Sequence, residues 1–159
     1  MSGSSSGRDG LPSELAAALD GTGLRSKVGA TFLMLVSGLD GWPHVAMLSA
    51  GEVYAPTRYR VVLALHSDSA TARALGATGR GLLLTIVDRK VCRTRVATTL
   101  LGPWSSNSGI TFFAGDVEQV AVDAVDYAEV VHGIAYKLPD PERVVARWEA
   151  TVAAMRELP

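Results

Sequence analysis

Short apolar runs separated by turn residues set the pattern of this chain. "GATFLMLVSG" is brief, apolar and bounded by glycines, which predicts a buried strand. Asp40-Gly41 is a hairpin signal, and "PHVAMLSAGEVYAP" resumes after it as one strand. "RYRVVLALH" predicts another. "GRGLLLTIVDRKVCRTRVATTLLG" divides into two strands at a turn of Asp88, Arg89 and Lys90, and "GITFFAGDVEQVAVDAV" adds one whose end is poorly marked. Three helices punctuate these strands. The first, in "LPSELAAALDG", is expected to be capped by Ser13, to face inward with Leu15, Ala18 and Leu19, and to end at Gly21. The second runs from Ser69 to Ala77. The third opens at Asp140-Pro141-Glu142, a cap, a first-turn proline and a dipole-matching acid. Its Val144, Trp148, Val152 and Met155 form one apolar stripe, expected to pack on the sheet or on a second subunit. About six strands joined mostly by tight turns predict a β-dominated antiparallel barrel rather than a parallel sheet with crossover helices.

Composition narrows the function classes. The chain has 159 residues, 48% of them hydrophobic and 19% charged. That is one ordinary globular domain, expected over residues 11–159, behind a Gly/Ser-rich flexible tail over 1–10. The net charge of −1 supplies no basic field for nucleic acid. No apolar run reaches membrane-spanning length and the start is unlike a signal peptide, so the expectation is a soluble cytoplasmic protein. Cys92 is the sole cysteine, which excludes an intrachain disulfide and reads as a core residue. No histidine pair has zinc-ligand spacing. No Gly-x-Ser-x-Gly marks a nucleophile, so a hydrolase is not expected. Glu52 and Glu118 read as surface or strand-edge charges.

The segment "LHSDSATARAL" carries the candidate chemistry. A strand turns into a helix there, through Ser67, Asp68, Ser69 and Thr71. A helix N-terminus presents unpaired N–H groups and partial positive charge. The hydroxyls of Ser67, Ser69 and Thr71 either complete an anion site there or merely cap the helix.

"GWPHVAMLSAGEV" followed by "RYRVVLALHSDSATARAL" resembles the pyridoxamine 5′-phosphate oxidase-like split-barrel flavoproteins, and "DPERVVARWEATVAAMREL" resembles the C-terminal helix of small bacterial members. The resemblance spans residues 24–158. It implies a six-stranded split barrel, a homodimer, and FMN in a groove between the subunits. It places Ala46, Met47, Leu48 and Ser49 along the flavin, Leu65 and His66 beside it, and Ser69, Ala70 and Thr71 at its phosphate. It implies a small oxidoreductase acting on a small molecule. Haem, held axially by His66 or His132, or a deazaflavin would fit the same class, and a cofactor-free module for another small anion is a further reading.

The chain departs from the flavin pattern at its cations. Ala46 stands where an arginine is usual, and Ala70-Thr71 where a basic pair is usual. Arg73, or Arg58 and Arg60, would have to compensate, and Asp68 would repel a phosphate. His44 reads as a solvated turn residue.

Overall fold

The computed structural model describes residues 9–159. Residues 1–8 of the expected tail lie outside them. Asp9 is already attached to the domain, its carboxylate accepting the Val120 backbone N–H at 3.3 Å.

The described residues hold seven strands: β1 (Phe32–Ser37), β2 (Pro43–Leu48), β3 (Val53–Thr57), β4 (Arg60–His66), β5 (Arg80–Val87), β6 (Lys90–Trp104) and β7 (Asn107–Asp123). They form one antiparallel sheet in the order β2-β1-β5-β6-β7-β4-β3. Two corrections follow. The strands number seven because "PHVAMLSAGEVYAP" breaks into β2 and β3. The break is a turn in which the Glu52 N–H reaches the Ser49 carbonyl at 3.0 Å and the Ser49 hydroxyl reaches the Glu52 carboxylate at 2.7 Å. The sheet is also not closed, since β2 and β3 are its two edges and do not pair with each other.

The β6–β7 hairpin is the spine. Its turn-distant part, Val91 to Val96, pairs with β5 on one side, and the Thr98 to Pro103 part faces the stretch of β7 that pairs with β4. Register shifts after Arg95 and Leu100 bend it, as bulges do. The curved sheet encloses a core that includes Met34, Leu63, Leu83, Val96 and Phe113.

Helix α1 (Ser13–Ala18) is capped differently from expectation. Pro12 takes the cap position and no side chain bonds there. Leu15 and Leu19 are buried as expected. Helix α2 (Ala70–Thr78) follows β4 directly and stops at Gly79, whose φ of +66° is left-handed and favours glycine. Helix α3 (Pro141–Arg156) is capped by Asp140, which accepts the Arg143 N–H at 3.3 Å. Its buried face is Val145, Trp148, Thr151, Val152 and Met155. The stripe is thus rotated slightly from Val144 toward Val145, and it packs on the chain's own β3 and β4.

Candidate active site at the end of strand β4

Strand β4 is buried from Val61 to Leu65 and releases the chain to solvent at His66. The turn that follows is held from two sides. The Ser69 N–H donates to the His66 carbonyl at 3.0 Å. The Ser67 hydroxyl donates to the Ser108 carbonyl and lies 2.8 Å from the Thr111 hydroxyl. Ser69 is the N-cap of α2, its hydroxyl accepting the Ala72 N–H at 3.0 Å. Thr71 is buried. The capping role is therefore filled by Ser69 itself, and Ser67 is a strap to the β6–β7 loop. What stays open is the backbone: among the described residues, no partner is recorded for the N–H groups of Ala70 and Thr71. Arg73 lies one turn along, exposed, with its guanidinium on the Asp68 carbonyl.

The other flavin-side positions divide by pleat. Ala46 is the register partner of the fully buried Met34 and turns inward with it, since successive residues of a strand face opposite ways. An arginine at position 46 would enter the core. The outward residues of β2 are Val45 and Met47, 53% and 56% exposed. Leu48, Ser49 and Leu65 are buried. Arg58 and Arg60 are engaged elsewhere in the chain. Arg58 donates to the Leu11 carbonyl at 2.8 Å, Arg60 holds the Pro159 carbonyl, and Arg60 begins the strand that His66 ends, about 20 Å away at β-strand rise.

Met47 belongs to a broad apolar face. Leu33 is opposite Met47 on one side and Leu84 on the other, and Leu35 is opposite Val45 and Leu82. Those side chains share the outer face of β2, β1 and β5 and are exposed or half-buried. Arg93 and Arg95 border it, as partners of Leu84 and Leu82. Arg93 is paired with Asp123 at 2.9 Å.

Sequence reasoning missed a cleft on the opposite side of β4. It has a volume of about 190 Å³, between His66, the β6–β7 loop and α3. Trp104, Asn107, Arg147, Trp148 and Glu52 line it. Glu52, expected as a surface charge, is half-buried there. Burial raises the Tyr136 phenol above its ordinary value, and the nearby Glu52 charge pushes the same way. The signal available in the sequence was Trp148 beside Arg147 on the apolar stripe of α3, but nothing local says which strand a stripe covers.

The three histidines are separate. His66 opens into the cleft. His44 is half-buried and lies 3.2 Å from Asp40. His132 is exposed, its Nδ1 2.7 Å from the Gly133 carbonyl. No group of three or more metal-binding side chains occurs among the described residues, and no described helix is long and apolar enough to cross a membrane.

No family model matches the chain. An uncharacterized protein of Bacillus subtilis strain 168, YclD, is 28% identical over 139 residues, covering 87% of this chain and 90% of its own length. A solved structure from Lactobacillus delbrueckii, provisionally assigned as a pyridoxamine 5′-phosphate oxidase, matches with a TM-score of 0.53 at 12% identity, over 70% of this chain and 93% of that one. This chain has the pyridoxamine 5′-phosphate oxidase-like split-barrel fold. An F420 reductase shares the split barrel with a TM-score of 0.50 at 9% identity, over 62% of this chain and 96% of its own. The HupZ protein of Group A Streptococcus does so at 0.50 and 7%, over 64% and 97%. The resemblance read from "HVAMLS" and "LHSDSATARAL" is thereby matched at the level of the fold.

Proposed function

We propose that this split barrel works as a homodimer, binds FMN in a groove between two copies, and acts as an oxidoreductase on a small molecule. The observation that carries this reading is the uncovered apolar face of β2, β1 and β5. Monomeric proteins rarely leave so wide a contiguous apolar surface in water, and a second copy laid on it would cover it.

The residues fit FMN with a weak phosphate grip. Val45 and Met47 offer an apolar shelf for a flat ring. The N–H groups of Ala70 and Thr71, with the helix dipole, suit an anion, and Arg73 supplies one cation where the family pattern has up to three. The hydroxyls of Ser67 and Ser69 are engaged within the chain and add little. Each absent charge-assisted bond forfeits about 1.5–3 kcal/mol, so affinity for FMN is low and loss of the cofactor on purification is expected. A bound flavin supplies the hydride or electron transfer. The chain's part is to bind the ring, hold it along Val45 and Met47, and exclude water with the second copy's apolar face.

Haem is the second reading, favoured by His66, which lines the cleft and has no hydrogen-bond partner among the described residues. The test is titration of the purified protein with FMN and, separately, with haem, followed by absorption and light scattering. A dimer that takes up FMN supports the first reading. A Soret band that is lost in His66→Ala supports the second. A colourless dimer that binds neither leaves the small-anion module, and a monomer refutes the interface groove.

A further inference from the structure

We propose that the extended segment 125–134 is a docking arm for the second copy. It lies across the Arg80 and Arg95 end of that copy's outer apolar face, so that the two sheets pack face to face with their strands antiparallel. The inference rests on the homodimer proposed above and says how its halves interlock.

The segment follows the end of β7 and carries no strand or helix beyond one bridge, Val125 to Ala128. Its backbone is nevertheless held against the sheet. The Val130 N–H donates to the Arg89 carbonyl at 3.1 Å, and Glu129 pairs with Arg89 at 3.2 Å. Gly133 lies on Ile86, where an added Cβ would stand 3.1 Å from the Ile86 Cγ1. Ile86 belongs to the outward row of β5 with Leu82 and Leu84, since Leu83 and Thr85 between them are buried and successive strand residues face opposite ways. The arm therefore continues the outer apolar face at its Ile86 end.

The backbone is anchored, but the apolar side chains are not. Tyr127 is 90% exposed and Val131 83%, with Ile134 and Val125 about half exposed. Apolar side chains gathered in this way beside an open apolar face mark an interaction surface. Area points the same way. A stable interface takes roughly 20–30 residues a side. The strands alone offer Leu33, Leu35, Val45, Met47, Leu82 and Leu84, and the leucines among them are already half-buried. The arm supplies surface that the strands lack.

Charge decides where the arm goes. At its own end of the face the acids Asp88, Asp123, Asp126 and Glu129 outnumber Arg89 and Lys90. At the other end Arg80 begins β5 and Arg95 is the register partner of Leu82. Neither guanidinium is ion-paired among the described residues. Glu118 shares their groove and offsets only one of the two charges, while Asp116 on β7 has a partner of its own. A two-fold interface makes each contact twice. An axis lying in the face and crossing β5 between Leu82 and Leu84 exchanges the two ends. The acidic arm of each copy then falls on Arg80 and Arg95 of the other, and the leucine rows meet in the middle. Parallel strands would instead set arm on arm, acid against acid.

The test is the dimer dissociation constant of the full-length protein at low salt, read by sedimentation equilibrium. Val131→Asp and Tyr127→Ser should each raise it roughly tenfold or more, because a two-fold interface loses the contact twice. Leu100→Ser, 56% exposed at the far end of β6, should leave it unchanged. Asp126→Lys should weaken the dimer, and so should Arg80→Glu with Arg95→Glu. All three changes in one chain should recover most of the affinity. The substituted side chains are exposed, and thermal unfolding confirms that each variant is folded. A monomeric parent overturns the homodimer reading together with the arm. A parent dimer that Met47→Asp dissociates, but Val131→Asp and Tyr127→Ser do not, keeps the face and overturns the arm. No recovery in the combined charge variant overturns the antiparallel docking.

Discussion

Gly51→Ala tests how α3 is docked. The backbone at Gly51 is not left-handed, so alanine brings no conformational strain, only a methyl group. That methyl would lie 2.1 Å from Cγ and 2.3 Å from Cβ of Trp148, where carbon atoms in contact need about 3.5–4.0 Å. The shortfall is about 1.5 Å. The indole cannot slide aside, because it is buried within the core cluster. Overpacking of this kind costs about 1–3 kcal/mol. If the ring is expelled instead, the cost approaches the roughly 3–5 kcal/mol of a buried tryptophan truncation. We expect 2–4 kcal/mol from urea unfolding, with the slope unchanged. In a Trp148→Gly background, which removes the Cβ as well as the ring, the same substitution should cost clearly less, because the atoms it meets are gone. Equal costs of Gly51→Ala in the two backgrounds would refute the claim that Gly51 exists to admit the indole.

Ser69→Ala should lower stability by about 1 kcal/mol through loss of the α2 cap, and thermal unfolding measures it. Asp20 governs a pH effect. Burial pushes its carboxyl up, but hydrogen bonds from Lys27 and Thr22 outweigh this and hold it at about 2, down from 3.8. A depressed pKa stabilises the fold above the unfolded value and loses that contribution as pH falls from about 4 toward 2. The shift is worth roughly 2.4 kcal/mol unscreened, and with the carboxylate 45% exposed about 1 kcal/mol or less remains. Asp20→Asn should therefore destabilise at pH 7 and not at pH 2 in parallel urea titrations. Met47→Asp, on the β2 edge of the apolar face, should yield a folded monomer by light scattering, and an unchanged dimer would place the interface elsewhere.

Much of the fold was legible because the apolar runs are short and their turns carry the residues turns demand. The Asp40-Gly41 turn is one: Gly41 has φ +85° and Asp40 accepts the Trp42 N–H at 3.0 Å. The β2–β3 turn was not legible. "LSAGEV" carries one glycine within an otherwise strand-like pattern, and what breaks the strand is a serine side chain bonding three residues on. The pleat of β2 was equally hidden. An apolar strand covered on one face by the core and on the other by a further surface loses its alternation, so inward Ala46 and outward Met47 read alike. At the start of α2 the sequence offered two roles for the hydroxyls, and the structure fills one: Ser69 caps. The cleft was invisible because its parts come from residues 52, 66, 104, 107 and 147–148, brought together only by the docking of α3.

The β6–β7 hairpin also sets a folding order. Its two long strands are joined through residues 105–106 alone, a connection as short as those of β3–β4 and β5–β6, and their pairing is the longest in the sheet, so it closes at little entropic cost. Every other part of the sheet joins this pair or something already joined to it: β5 and β4 directly, then β1 and β3, and β2 last, on β1. The β2–β3 turn links the two edges of the sheet. The cleft and the outer apolar face are assembled from opposite ends of the sheet and become complete only when the slowest edges are in place. A chain halted partway would carry a finished spine and no site, and local opening of either edge strand in the native state would dissolve the site while leaving the spine intact.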